Sequence, residues 1–560
     1  MRVFIFFSSV ALLVFGIFFT LGPPLGHSYV MNITWGSAFA EQFFAGDLYP
    51  RWLFGLNQGA GSPVFYFNGP FPFWINAVFG ELLCSGCALE RSVMIGPSVL
   101  LALSGISFYY WTRLYARPLA ALLAAILYVF LPYHFALDLW VRAALGEIAA
   151  YVWMPVILLG LAKASTSTKY LILAAAGYAG LIYSHLPSAL LFSPVMVWFV
   201  LIRHAPYRWP RVLMVPVVLG IGLAAIYLVP ALTTQDYINA SAWWDRSDGH
   251  FDPRNWLWLD GRDAPPFAEA LLPALLTPTV LSVIMAGGLI FGGEGKSRIN
   301  IFIVLSLVYA WFLMTYPSSF LWEQVALLRK VQFPWRVGIV VDLCAATMFA
   351  IWLEWVLARK WLFKSTLYLT VVVLGSYYGY YAKSMYGELL EVTEASRVEK
   401  IRKYIARGLD QPEYRTSWSI RSGEVLSFDA LAEKLGEVPH ASVVSGEGTV
   451  RIVRQEFDHL SVIVEATTPV RLRFRRFYYP GWYLTGEPGG ELFDTNASEV
   501  LGLLEARIPS GTHRLKLLRL PIKEERIGAI ISIASLIACL LLLARVLVKK
   551  RKSQSAGTAA

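Results

Sequence analysis

Long apolar stretches run through most of this chain, and one long polar stretch, residues 385–525, interrupts them near the end. An α-helix of about 20 apolar residues crosses a bilayer core about 30 Å thick. Twelve stretches reach or approach that length: 3–22, 93–112, 118–137, 148–165, 170–186, 187–202, 212–231, 270–292, 299–316, 337–358, 362–382 and 527–548. The pattern predicts a polytopic α-helical membrane protein of about 12 spans, with one soluble module before the last span.

The apolar stretch 62–85 is predicted not to cross the membrane, because it contains three prolines and many aromatic residues. It reads as a segment at the membrane interface or a re-entrant one. The alternative is a thirteenth span, which would invert the orientation of everything after it. Without it, and with the N-terminus inside, every predicted inside loop is basic, as the positive-inside rule requires.

This orientation also accounts for the charge of the chain. The formal net charge is +10, while charged residues make up only 15% of the sequence. Because much of the excess lies in short loops beside apolar spans, topology explains it better than nucleic-acid binding. The expected location is the inner (plasma) membrane, with the soluble module outside.

The residue pattern of the polar stretch changes after Ala441. Short alternating runs rich in Val, Ile, Phe and Arg are separated by Pro- and Gly-containing turns, which predicts a small extracytoplasmic β-sandwich or jelly roll. The expected division is a multi-span domain (1–384) with a large first outside loop (23–92), the soluble module (385–525), a last transmembrane helix (526–548) and a basic cytoplasmic tail (549–560).

Cys84 and Cys87 form a lone C-x-x-C with no second pair, so zinc binding is not indicated. A local disulfide is an open alternative if that loop lies outside. Cys344 and Cys539 fall inside apolar spans and are interpreted as small buried residues.

The first outside loop is the densest in candidate chemistry. Phe39 and Phe43 are four residues apart, which predicts one face of a helix around 36–45, and Glu41 lies between them. Asp47 and Arg51 follow. A carboxylate here is a candidate general base. Arg51 is a candidate phosphate ligand, and the alternatives are snorkelling or a salt bridge to Asp47.

Further candidates lie at the outside ends of later spans. Arg142 and Glu147 sit at the lip of a span, where ionisable groups face a cavity or pair with each other. His185 is either a packed residue or a functional one. Arg336, in the run Q-F-P-W-R, is a candidate phosphate ligand with aromatic neighbours.

The loop 232–268 is rich in Asp and Trp, a texture of sugar-binding sites and equally of interfacial belts. No spacing in the chain forms a metal cage, a P-loop, an H-E-x-x-H or a G-x-S-x-G motif. No cofactor is therefore expected, although a divalent metal ion remains open.

Six runs together resemble a known family: L-Y-P-R-W (48–52), N-Q-G-A-G-S-P-V-F-Y-F (57–67), L-W-V-R-A-A-L-G-E (139–147), S-H-L (184–186), Q-F-P-W-R (332–336) and Y-Y-P-G-W (478–482). Their order is similar to that of bacterial multi-pass membrane proteins labelled "6-pyruvoyl-tetrahydropterin synthase-related", over nearly the whole chain. No three-histidine zinc site of a pterin synthase accompanies them. Those proteins are in turn similar to GT-C glycosyltransferases.

The resemblance implies a GT-C-like fold and sugar transfer from a polyprenyl-phosphate donor in the membrane to an envelope acceptor outside. It implies a catalytic acid in the first outside loop. Relatives tend to have an acid and a histidine soon after the first span, where this chain has Ser28 and Asn32. The expected base therefore passes to Glu41, Asp47 or Glu147.

Two function classes stay open. The first is this glycosyltransferase, with Arg51, Arg142, His185 and Arg336 binding substrate. The second is a non-catalytic scaffold or a factor for lipid or polysaccharide assembly or transport. Alternating-access transporters show internal repeats, and the two halves of this chain show no convincing one.

Overall fold

The structure of this protein is a computed structural model. It describes residues 2–557 except 22–25, 87–92, 241–256, 258–265, 294–296, 358, 392–398, 400–407, 409, 421–425, 457 and 489, and it describes only the backbone of 18, 19, 21, 266–269, 381–391 and 549–557. The Trp- and Asp-rich part of the predicted loop 232–268 and Cys87 lie outside the described residues.

Helices make up most of the part of the chain before residue 392. Their bounds are Arg2–Leu21, Tyr29–Phe44, Val64–Phe67, Phe71–Cys84, Ile95–Thr112, Pro118–Phe130, Leu145–Lys163, Thr168–Ser184, Leu186–Arg203, Trp209–Leu223, Ala225–Thr233, Pro266–Phe291, Arg298–Met314, Ser319–Gln324, Ala326–Arg329, Gly338–Val356 and Lys360–Glu391. A π-helical segment, Pro132–Val141, follows the helix that ends at Phe130. The helices Phe428–Gly436 and Lys523–Gly557 flank the strands.

Several of these helices are suited to cross a membrane. Within the described residues, six helical segments are long and apolar enough, and a bent pair of helices makes a seventh. They are Pro118–Val141, Leu145–Lys163, Leu186–Arg203, Ala270–Phe291, Pro334–Val356 and Lys523–Val548, with Pro206–Leu223 and Ala225–Thr233 as the pair. A multi-pass membrane protein is thus confirmed, while the number of twelve spans stays a prediction.

One predicted span, 212–231, is wrong as a continuous helix. The helix ends at Leu223, a second one begins at Ala225, and the two axes differ by 74°. The break falls at Ala224, although Pro216 and Pro230 lie inside the two helical pieces. Residues on both sides of this break, such as Ile221 and Leu228, form one wall of a cavity.

The first loop folds against the rest of the protein. The segment after Pro63 forms the helix Phe71–Cys84, whose 14 residues span about 21 Å, less than a bilayer core. This length agrees with the prediction that 62–85 does not cross. Phe39 is fully buried and packs on Phe65 and Phe73, at ring distances of 4.8 and 6.1 Å.

The described residues then form nine strands: β1 (Ala441–Ser445), β2 (Gly448–Gln455), β3 (His459–Ala466), β4 (Val470–Phe477), β5 (Trp482–Gly486), β6 (Leu492–Phe493), β7 (Thr495–Ala497), β8 (Leu503–Ile508) and β9 (Gly511–Arg519). They form two antiparallel sheets, ordered β1-β4-β8-β7 and β2-β3-β9-β5-β6. Alternate residues such as Leu472 and Phe474 in β4 are buried, so one face of the strand is covered. The predicted β-rich region is confirmed.

The predicted division into domains stays a prediction. The helix Lys360–Glu391 continues across the expected boundary after residue 384. The last helix begins at Lys523 and runs to Gly557, so it includes most of the predicted basic tail.

Candidate functional site

A buried group of ion pairs lies where the π-helical segment meets the helix Leu145–Lys163. The guanidinium of Arg142 donates to both carboxylate oxygens of Glu147, at 2.9 and 2.6 Å, and also pairs with Asp138. Asp138 is fully buried, and Glu147 is 1% exposed. Of the two predicted settings for Arg142 and Glu147, facing a cavity or pairing with each other, the structure shows the pair, and it is buried in the protein.

Arg336 joins this group from a distant part of the chain. Its Nε lies 3.1 Å from a carboxylate oxygen of Glu147, and its Nη1 donates to the carbonyl of Val331 at 2.6 Å. The hydroxyl of Tyr133 donates to Glu147 at 3.1 Å. The carboxylate of Glu147 therefore lies between two guanidiniums.

Aromatic rings cover the two arginines. The guanidinium of Arg142 lies 4.4 Å from the ring centre of Trp335, and that of Arg336 lies 5.1 Å from the ring centre of Phe333. The predicted aromatic neighbours of Arg336 are therefore present, and Arg142 and Glu147 are buried beside them. Low local polarity strengthens such charge-assisted bonds.

A second carboxylate group lies close by. Asp342 accepts hydrogen bonds from the hydroxyl of Tyr151 at 3.0 Å and from the backbone N–H of His134 at 3.2 Å. The His134 ring stacks on Tyr151 with 3.6 Å between ring centres. Sequence reasoning missed these residues, although ionisable groups within apolar spans were a signal for them.

A cavity of about 380 Å³ opens beside Arg336. Polar side chains line part of it: Asn68, His185, Gln235, Lys330, Gln332 and Arg336. Apolar side chains line the rest: Ile182, Leu186, Leu190, Ile221, Leu228, Leu232 and Leu327 among them. A cavity with a cationic part and an aliphatic part suits an amphipathic anion.

His185 lies at the break between the helices that end at Ser184 and begin at Leu186, with extended backbone. Its Nδ1 accepts from the backbone N–H of Ser188 at 3.3 Å and lies 2.8 Å from the Ser188 hydroxyl. A neutral ring whose Nδ1 is an acceptor carries its proton on Nε2. Facing the cavity, such a ring is a hydrogen-bond donor, which fits the predicted substrate-binding role.

Arg51 is not in the cavity lining, and the structure gives it a different setting. It pairs with Glu525 at the start of the last helix, at 3.5 Å, and stacks 4.0 Å over Tyr49. Arg519 lies 3.5 Å from the Glu525 carboxylate. The hydroxyl of Tyr66 donates to Glu525 and accepts from Arg519. The predicted alternative, a salt bridge to Asp47, is not the one that forms.

The two candidate carboxylates of the first loop, Glu41 and Asp47, do not belong to the buried ion pairs. Glu41 is exposed on the helix Tyr29–Phe44, and neither it nor Asp47 lines the cavity. Asp47 is half-buried and accepts from the backbone N–H of Tyr49 at 3.1 Å. Burial raises the pKa of Asp47, against the lowering effects of that hydrogen bond and of Arg51.

Arg51, Arg142 and Arg336 were all predicted to bind substrate, and the structure does not place all three at the cavity. Of these three, only Arg336 lines the cavity. Lys330 lines it as well and donates to Gln235 at 2.6 Å. Sequence reasoning missed Lys330, which stands only two residues before the Q-F-P-W-R run.

A metal centre at this cavity is not supported by the part of the chain that the structure describes. Within the described residues, the possible metal ligands that cluster are Glu456, Asp458 and His459, between the end of β2 and the start of β3 and outside the cavity lining.

Cys84 is disulfide-bonded, whereas Cys344 and Cys539 are free and buried. The predicted partner of Cys84 lies outside the described residues.

No protein-family model matches this chain, and no curated protein matches it. The label "6-pyruvoyl-tetrahydropterin synthase-related" thus stays a prediction. Among solved structures, the chain is similar to the crystal structure of ArnT from Cupriavidus metallidurans bound to undecaprenyl phosphate. The two are 14% identical, the match covers 72% of this chain and 73% of that chain, and the TM-score is 0.39. This TM-score is too low to establish a shared fold.

Proposed function

We propose that this protein is a GT-C-like glycosyltransferase that moves a sugar from a polyprenyl-phosphate donor to an envelope acceptor. The observation that carries this is the cavity beside Arg336, with cationic and hydrogen-bonding groups in one part and aliphatic side chains in the other. A polyprenyl phosphate has the same division into an anionic head and an apolar chain.

Arg336, Lys330 and His185 are proposed to bind the donor phosphate. Each lines the cavity, and each offers donors to an anion. In the reaction, the acceptor hydroxyl oxygen bonds to the anomeric carbon while the bond from that carbon to the phosphate oxygen breaks. The leaving phosphate keeps the electron pair, and the same three side chains stabilise its added charge.

Glu147 and Arg142 are proposed to position Arg336. A carboxylate between two guanidiniums is a weak base, and Glu147 has both. Asp47 is proposed as the base for the acceptor proton, although like Glu41 it lies outside the cavity lining. It is half-buried, and burial raises its pKa, which makes it a stronger base than Glu147. Glu41 is exposed to solvent, which leaves it with the weakest support among the predicted carboxylates.

Binding of a C55 polyprenyl phosphate to the protein in nanodiscs tests this function. Lys330→Gln and Arg336→Gln should each weaken binding about tenfold or more, since a hydrogen bond to a charged group contributes about 1.5–3 kcal/mol. The hydrogen bond described for Lys330 goes to Gln235, and those described for Glu147 come from Arg142 and Tyr133, so the Lys330 variant is chosen to spare the buried ion pairs. Arg329→Gln is the matched control, because Arg329 is exposed and bonds to the carbonyl of Glu323. Equal affinity in all four proteins would refute the assignment.

Transfer itself separates the enzyme from the alternative. With a polyprenyl-phosphate sugar as donor, Asp47→Asn should abolish release of polyprenyl phosphate while leaving its binding unchanged. If the wild-type protein binds the lipid phosphate but never releases sugar from such donors, a non-catalytic assembly or transport factor is the better description.

The extracytoplasmic side is part of the same proposal. The basic inside loops and the disulfide at Cys84 support it, because disulfides persist in oxidising compartments. Reporter fusions in the strand region that are active only in the cytoplasm would overturn this orientation.

A further inference from the structure

The break in the helix beside the cavity exposes backbone polar groups that need partners. Helix Trp209–Leu223 ends where helix Ala225–Thr233 begins, and the axes differ by 74°. In hydrocarbon, N–H and C=O groups freed by such a break must be satisfied by neighbouring parts of the protein. The identity of those neighbours shows what holds the bend.

The last helix supplies one of these partners. The hydroxyl oxygen of Ser532 accepts from the backbone N–H of Ile226 at 2.9 Å. The same hydroxyl lies within donating distance of the carbonyls of Gly222, at 3.1 Å, and Leu223, at 3.0 Å. One side chain therefore bridges both sides of the break.

The first loop supplies another. Arg51 donates from Nη2 to the carbonyl of Ile226 at 3.1 Å. Both backbone polar atoms of Ile226 are thus bound from outside the broken helix. Arg51 is itself paired with Glu525, seven residues before Ser532 on the same last helix. The two partners therefore belong to one connected assembly.

The last helix also approaches the break closely. A Cβ at Gly528 would meet the carbonyl oxygen of Ala225 at 2.5 Å, and one at Gly222 would collide with the Ser535 side chain. Glycine at both positions lets the helices approach closely. Elsewhere this helix is mostly exposed, since only 11% of its most apolar stretch is buried in the protein.

We propose that Ser532 and Arg51 are positioning residues that hold this bend, and thereby one wall of the cavity. Tyr227, Leu228 and Leu232 follow the break and line the cavity, so the bend angle decides where they lie. The strands are connected to the same point, because Arg519, the last residue of β9, contacts Glu525. The assignment of the bend does not depend on the proposed function. Only the choice of a polyprenyl phosphate as the ligand of the cavity rests on it.

Distance measurements test the bend without any ligand. Spin labels at Met214→Cys and Thr233→Cys, both exposed, report the separation of the two helical pieces. Ser532→Ala should shift or broaden that distance distribution, and Ser532→Thr, which keeps the hydroxyl, should restore it. Ser9→Ala is the matched control, since Ser9 bonds only to a carbonyl of its own helix in the described contacts.

Lipid binding gives the second readout. In the unlabelled protein, Ser532→Ala should weaken binding of the C55 polyprenyl phosphate about fivefold to tenfold, and Ser532→Thr should not. An unchanged distance distribution in Ser532→Ala would overturn the inference, whatever the lipid result. If the wild-type protein fails to bind the lipid while the distance shifts as expected, the bend assignment stands and the proposed function is the part that fails.

Discussion

Replacing Glu147 with glutamine should destabilise the protein strongly, because it removes the negative charge between two buried guanidiniums. Glu147 receives two hydrogen bonds from Arg142, at 2.9 and 2.6 Å, and lies 3.1 Å from Arg336. Only 1% of the residue is exposed. Removing one partner of a buried ion pair costs about 3–5 kcal/mol, since the remaining charge has no solvent to stabilise it.

The chain contains a matched control for this change. Glu354 also pairs with an arginine, Arg117, at 2.6 Å, but the two side chains are 26% and 66% exposed. A solvent-exposed pair contributes about 0–1 kcal/mol, so Glu354→Gln should have little effect. The same substitution is thus made in a buried pair and in an exposed pair of one protein.

Unfolding in mixed micelles of detergent and SDS, followed by tryptophan fluorescence, measures both variants. A shift of the unfolding midpoint for Glu147→Gln well beyond that for Glu354→Gln would confirm the structural role. If Glu147→Gln unfolds with the wild-type midpoint, the ion pairs are not what holds this region, and Glu147 returns as a candidate base. Loss of sugar transfer at wild-type stability would favour that catalytic role.

Three further changes test neighbouring parts of the structure by the same unfolding assay. The carboxylates of Asp138, Glu147 and Asp342 outnumber the guanidiniums of Arg142 and Arg336 by one. Asp342→Asn should therefore lower the stability less than Glu147→Gln does, and an equal or larger loss of stability would contradict this charge count. Burial, with two nearby arginines, lowers the pKa of His440 in the folded protein. Its contribution to stability is therefore present above pH 6.5 and is lost as the pH falls below that value. His440→Gln should reduce the difference between the unfolding midpoints at pH 7.5 and 5.5, and an unaltered difference would show that His440 does not cause this pH dependence. Gly61→Ala should destabilise the first loop by about 1–3 kcal/mol, because Gly61 has a φ of +86° and a Cβ there would collide with Trp52; a wild-type midpoint would show that the loop yields without cost.

Local sequence patterns account for much of the fold. The 20-residue apolar stretches predicted the membrane helices, and alternation predicted strands such as Val470–Phe477, because helices and strands each impose a short period on burial. The aromatic run beside Arg336 likewise predicted its covered setting. Such signals need only neighbours in sequence, so they can be read without the fold.

The partners of Arg51 and Arg336 were decided by the tertiary structure alone. Arg51 pairs with Glu525 rather than with nearby Asp47, and Arg336 reaches Glu147. The bend at Ala224 has no proline at that position, and its stabilising partners come from opposite ends of the chain. A buried charge or a freed backbone group takes whichever partner packing brings within hydrogen-bond distance, and that packing depends on contacts between distant segments that no local pattern encodes.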